Sequence, residues 1–173
     1  YTCVRECPVK AIRIVNGQAE VMSERCIGCG NCVRVCSQGA KIFLHSQAEV
    51  KELLEGSDPV AALIAPSFPA EFEEICDYHL FIGMVRALGF EYVCEVGFGA
   101  DMVARRYAEI MNKPTDKGII TSDCPSVTFH MRHYYPHLVD RLAPIVSPMV
   151  ALNRCVKAEY GENIKTVFIG PCI

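Results

Sequence analysis

The stretch Cys26-Ile27-Gly28-Cys29-Gly30-Asn31-Cys32-Val33-Arg34-Val35-Cys36 decides how the first part of this chain folds. Its cysteines follow the pattern Cys-x2-Cys-x2-Cys-x3-Cys, the spacing of a bacterial iron–sulfur cluster-binding run. Three closely spaced thiolates wrap one cubane, and the fourth turns away toward another cluster. Gly28 and Gly30 let the backbone curl tightly and bring amide hydrogens toward the sulfurs, which stabilises an anionic cluster. Zinc and buried free thiols are the competing readings; zinc sites use two pairs of ligands set farther apart.

Working outward, Cys3-Val4-Arg5-Glu6-Cys7 repeats Cys32-Val33-Arg34-Val35-Cys36, and Pro8 belongs to the back half of the same pattern. By that repeat, two more cysteines are expected immediately before Tyr1, so the chain is expected to be part of a longer protein. Between the two runs, Asn16-Gly17 lies at the centre of Ala11–Met22 and predicts a hairpin turn.

The whole chain has 173 residues, 51% of them apolar and 21% charged, which excludes a disordered tail and permits a core. Net charge is −3, so a broad nucleic-acid surface is excluded as the expected role. No apolar run reaches the roughly 18–20 residues of a membrane helix and no signal peptide opens the chain, so a cytoplasmic protein with no membrane partner is expected. The cysteines number eleven, an odd count that suits metal-bound thiolates better than a disulfide scaffold. Residues 1–45 are basic on balance and the remainder acidic. This shift places a boundary near His45, giving domains 1–45 and 46–173. The first is too short to hold a core without staples, and metal is the obvious staple.

After residue 46 strands and helices alternate. Strands are predicted at 60–65, 92–96, 118–121 and 166–169. Helices are predicted at 47–55, 71–88 with a break around Gly83, 100–111, 125–135 and from Ser147-Pro148 to about Tyr160. Ser147 and Pro148 supply a cap and a first-turn proline. The alternation argues for a mainly parallel sheet covered by helices.

Three short signatures follow strand candidates: Ala65-Pro66-Ser67, Thr121-Ser122-Asp123-Cys124-Pro125 and Phe168-Ile169-Gly170-Pro171-Cys172. Ligands of open α/β sheets bind at that carboxyl edge, and a helix N-terminus favours a thiolate. Residues 1–42 resemble the two-cluster bacterial ferredoxin domain. The three signatures, with Ser147-Pro148-Met149, resemble the catalytic domain of the iron-only (di-iron) hydrogenases and their hydrogenase-like sensory relatives. Together they imply an α+β ferredoxin-like domain followed by an α/β lobe of the hydrogenase domain.

The ferredoxin resemblance implies that Cys7, Cys26, Cys29 and Cys32 hold a complete 4Fe–4S cluster, and that Cys3 and Cys36 are half the ligand set of a second. The hydrogenase resemblance implies that Cys124 and Cys172 are two of four thiolates holding the cubane of an H-cluster in the intact parent protein. It also implies that Pro66 and Ser67 form the turn that donates hydrogen bonds to a cyanide of the di-iron centre. The family's third, cysteine- and glycine-rich motif does not occur here. Asp123 stands where the family keeps a proton-relaying cysteine, and Gly170 where it keeps a methionine. A carboxylic acid can also move protons, which makes Asp123 the catalytic candidate.

The expected function is electron delivery from ferredoxin-type clusters to an H-cluster-type site that reduces protons or oxidises hydrogen, slowly if at all. The alternatives are a hydrogen or redox sensor feeding an attached signalling domain, and a non-catalytic electron-transfer module; a relative of the cytosolic iron–sulfur assembly proteins is a further option. A redox partner protein is expected. Plainer readings stand beside these: Asp123 as a group solvating the start of the Pro125 helix, and Cys76, Cys94 and Cys155 as small buried hydrophobes. His130, His133 and His137 read as surface residues, and Val96-Gly97-Phe98-Gly99 as a stretch lacking the full nucleotide-loop pattern.

Overall fold

The computed structural model describes residues 1–72, 77–113 and 118–172. Along the chain lie α1 (Thr2–Glu6), β1 (Ile12–Val15), β2 (Gln18–Val21), α2 (Asn31–Arg34), α3 (Gln47–Glu55), β3 (Val60–Ile64) and α4 (Phe68–Glu71). There follow α5 (Tyr78–Ala87), β4 (Tyr92–Glu95), α6 (Val96–Met111), α7 (Pro125–Tyr134), a 3-10 turn (Pro136–Arg141), α8 (Pro148–Tyr160) and β5 (Lys165–Ile169). They fall into two compact units. The first joins residues 1–44 with 118–144, and the second joins 45–113 with 145–172.

In the first unit β1 and β2 form an antiparallel hairpin with Val15 opposite Gln18. Asn16 and Gly17 both take positive φ, 50° and 76°, as the two-residue primed turn requires. The small core beneath consists of Cys3, Cys7, Ala11 and Ile12. Two of those four side chains are thiols, which is little apolar area to hold a fold.

The second unit is built on a parallel sheet of order β4-β3-β5. The central strand Val60-Ala61-Ala62-Leu63-Ile64 is buried along its whole length. Its even residues face Phe81, Val85 and Phe90, with α3 adding Val50, Leu53 and Leu54. Its odd residues face Val96, Leu152, Val156 and Ile164. A strand covered on both faces reads as a continuous apolar run, which is why this one is legible. Ser147 caps α8 by accepting the Val150 N–H at 3.4 Å, and Pro148 occupies the first turn.

The predicted elements differ from the structure in four places. The stretch 118–121 is no strand of the sheet: Ile120 makes one parallel bridge to Leu142 within the first unit. Its two backbone bonds, Ile120 N to Arg141 O and Ala143 N to Ile120 O, are both 2.8 Å. The helix expected over 71–88 with a break around Gly83 is instead α4, ending at Glu71, and α5, which runs unbroken through Gly83; residues 73–76, with Cys76, lie outside the described residues. Helix α6 starts at Val96 rather than Ala100 and takes in Gly97 and Gly99, of which Gly99 packs. A Cβ on Gly99 would come 2.2 Å from the Pro148 carbonyl oxygen, so α6 meets α8 backbone to backbone. Cys94 and Cys155 are half-buried rather than buried, Cys155 with its sulfur 3.5 Å from that of Met102.

Candidate metal centre

Cys7, Cys26, Cys29 and Cys32 line one hollow in the first unit, walled otherwise by Val9, Ala11, Ile12, Val21 and Ile27. Cys7 ends α1, and the run 26–32 curls onto α2. Gly28 and Gly30 take φ of 67° and 70°, left-handed conformations that a side chain would oppose. Asn31 Nδ2 donates to the Glu6 carbonyl at 2.7 Å and so ties the two cysteine segments together. Backbone amides already point at sulfur: Ala11 N lies 3.2 Å from Cys7 Sγ and Gly28 N 3.4 Å from Cys26 Sγ.

Burial, followed by the neighbouring Cys26 sulfur, pushes the Cys32 thiol up. Metal must therefore draw its proton off on binding. Four thiols around one apolar hollow, two of them met by N–H donors, suit an anionic cubane. Those are the residues that would hold it.

Cys3 is buried on α1. Cys36 Sγ accepts the Ala40 N–H at 3.3 Å, and backbone donors led by Lys41 N–H hold its thiol below the ordinary value.

Cys124 is exposed at the N-cap position of α7, whose first turn carries Pro125. Asp123 precedes it; its Oδ1 is shielded from solvent and meets no hydrogen-bond partner among the described residues. Ser122 Oγ donates to the Ala143 carbonyl at 2.8 Å and anchors this turn. His133 and His137 are exposed, whereas His130 is half-buried with a shielded Nδ1 and rings of Tyr134 and Tyr135 5.2 and 5.3 Å away. This corrects the surface reading of His130: every fourth residue of α7 lies on one face, which puts His130 against Tyr134.

In the second unit, Pro66-Ser67 and Pro171-Cys172 meet at one sheet edge. Ile64 pairs with Ile169 in parallel register, and Ala65 N donates to Ile169 O at 2.9 Å. Both turns leave the same end of neighbouring strands, as the sequence signatures imply. Cys172 and Ser67 are exposed there.

Tyr134 is the residue that sequence reading missed. Its hydroxyl lies 3.0 Å from both Val9 O and Arg25 O and shares its one proton between them, partners more than a hundred positions away. No local pattern announces such a contact.

Among the described residues no helix is long and apolar enough to cross a membrane. The fold and the cysteine-lined hollow define a hydrogenase-like iron–sulfur protein. Residues 58–173 match the family model of the iron only hydrogenase large subunit, C-terminal domain, and residues 1–37 match that of the 4Fe-4S dicluster domain. The chain belongs to the iron-only hydrogenase-like family, with an N-terminal 4Fe–4S domain.

It is similar to the NADP-reducing hydrogenase subunit HndD of Solidesulfovibrio fructosivorans, 26% identical over 86% of this chain and 30% of that protein. It is also similar to the cytosolic Fe-S cluster assembly factor NAR1 of Yarrowia lipolytica, 24% identical over 80% of this chain and 31% of that protein. The chain thus spans about three-tenths of the length of these relatives. A solved [FeFe]-hydrogenase shares its fold with a TM-score of 0.56 and 21% identity, over 75% of this chain and 38% of that one.

Proposed function

We propose that this chain is the electron-handling part of an iron-only hydrogenase-like protein, with a complete 4Fe–4S cluster on Cys7, Cys26, Cys29 and Cys32. The observation that carries this reading is the single hollow lined by all four thiols. Such a cluster supplies one-electron transfer at low potential. The chain's own residues do the rest: the four cysteines bind, the apolar walls exclude water, and the Ala11 and Gly28 amides donate toward sulfur. Cys3 and Cys36 form half of a second ligand set. Cys124 and Cys172 contribute two thiolates to an H-cluster-type site, with the Pro66-Ser67 turn beside it, where Ser67 is the donor and Pro66 shapes the turn, and Asp123 as the proton-holding group. The proposed setting is the cytoplasm, and the proposed partners are a redox protein, or an attached signalling domain, and hydrogen or protons.

A second reading is a sensor or a non-catalytic module. Asp123 in place of a relay cysteine and Gly170 in place of a methionine favour it, as does the likeness to an assembly factor. The domains proposed are 1–45 for the ferredoxin-type clusters and 46–173 for the hydrogenase-like lobe.

The test is anaerobic reconstitution with iron and sulfide. About four irons per chain, with a reduced-cluster electron paramagnetic resonance signal that Cys29→Ala abolishes, is the expected result. Fewer than about two irons per chain, or an unchanged signal in Cys29→Ala, overturns the assignment.

A further inference from the structure

Tyr134 closes α7, and its half-buried side chain reaches two backbone carbonyls, Val9 O and Arg25 O, each at 3.0 Å. Val9 lies two residues past Cys7, and Arg25 immediately precedes Cys26. One hydroxyl therefore grips both chain segments that bring cysteines into the hollow. Besides this, the Arg25 guanidinium makes a longer contact of 3.4 Å to the same Val9 carbonyl. The His130 ring, one turn back on α7, lies 5.2 Å from the Tyr134 ring and backs it. At the other end of the same helix, about 15 Å away by its ten residues, stands Cys124.

We propose that Tyr134 is a positioning residue for the cluster on Cys7, Cys26, Cys29 and Cys32: its hydroxyl clamps the two ligand-bearing segments and docks α7 onto them. The inference rests on the cluster assignment above. Removing the hydroxyl leaves two carbonyls without their shared donor and lets the segments carrying Cys7 and Cys26 move apart more readily.

The experiment compares the native chain, Tyr134→Phe, and a chain with Tyr134 replaced by p-aminophenylalanine, whose ring amine still donates. Each is reconstituted anaerobically with iron and sulfide. Iron per chain and the rate of iron loss to a chelator are read. Tyr134→Phe is expected to lose iron roughly five- to tenfold faster, as loss of about one net hydrogen bond implies. The amine-bearing chain is expected to return toward native values.

A native loss rate in Tyr134→Phe overturns the proposal. So does an amine-bearing chain that behaves like Tyr134→Phe. If Tyr134→Phe loads no iron, loading by the amine-bearing chain supports the clamp, and failure of both overturns it. A native chain that takes up no iron overturns the cluster assignment and the clamp together, whereas a native cluster indifferent to Tyr134→Phe overturns the clamp alone.

Discussion

Gly170 lies so close to Ala65 that a Cβ built on it would stand 2.6 Å from the Ala65 Cβ. The tip of the Phe168 ring would be equally near, also at 2.6 Å. Parallel pairing of β3 with β5 forces this approach, since Ala65 N already donates to Ile169 O at 2.9 Å. The methionine of the resembling motif has no room at this edge while Phe168 keeps its place.

Gly170→Met is therefore expected to lower stability by about 1–3 kcal/mol, the usual cost of overpacking. Gly170→Ala should cost less. Pairing Gly170→Met with Phe168→Leu should return part of the loss, because the ring is the side that can yield. Urea unfolding of the native chain, the two Gly170 variants, Phe168→Leu and the double variant measures it. Additive losses in the double variant would mean that Ala65 alone sets the limit.

Gly99 is the harsher case. A Cβ there would meet the Pro148 carbonyl oxygen at 2.2 Å and the Leu152 Cβ at 3.2 Å. The first neighbour is backbone, and no rotamer relieves it. Gly99→Ala should cost about 3 kcal/mol or more by pushing α8 off α6, whereas Gly97→Ala, with open space around it, should be nearly neutral. Thermal unfolding of both separates a packing role for the Gly97–Gly99 stretch from a role in binding.

What the sequence disclosed and what it withheld follow one physical division. Local chemistry was readable: the Asn16-Gly17 turn, the Ser147-Pro148 cap, the apolar run 60–64 and the cysteine spacing each act over a few residues. Non-local approach was not. Ile119 and Ile120 look like strand residues, but whether a strand forms depends on a partner, and Ile120 finds only Leu142. The helix was expected only from Ala100 because propensity disfavours Gly97 and Gly99 in helices; that Gly99 meets α8 could not be read from the sequence. Tyr134 looked like one aromatic among surface histidines, since its partners lie at the far end of the chain. The four cysteines that line the hollow stood out because their spacing is itself a local pattern. Residues that merely support it carry no such mark.

Asp77 caps α5, accepting the His79 N–H at 2.8 Å. That backbone donor first, and the His79 side chain second, hold the carboxyl below its ordinary value of 3.8. A depressed carboxylate lends stability above its unfolded pKa, and that contribution is lost as pH falls through the folded value. Protection of the first-turn amides of α5 should therefore decline in acid. Asp77→Asn, which keeps an accepting oxygen without a titrating proton, should flatten that decline. Hydrogen-exchange protection at His79, compared between near-neutral and strongly acidic buffer, checks the sign.

Asp123 decides between a structural and a chemical role. Cys124, not Asp123, holds the cap position of α7, and no side chain caps that helix. Asp123 Oδ1 is shielded yet finds no partner among the described residues. An unmatched buried polar atom lowers stability, by about 1–3 kcal/mol in general. If the carboxyl serves no structural purpose, Asp123→Ala should leave the melting temperature unchanged or raise it. A fall of several degrees would mean that the carboxylate solvates the start of α7 after all. The chemical half of the test needs the full-length protein carrying an assembled H-cluster-type site. There Asp123→Cys should speed hydrogen evolution, because a thiol matches the relay that resembling proteins use, and Asp123→Ala should slow it. If Asp123→Ala evolves hydrogen as fast as the native protein, Asp123 lies off the proton path. If it also melts at a lower temperature, the residue is a structural one.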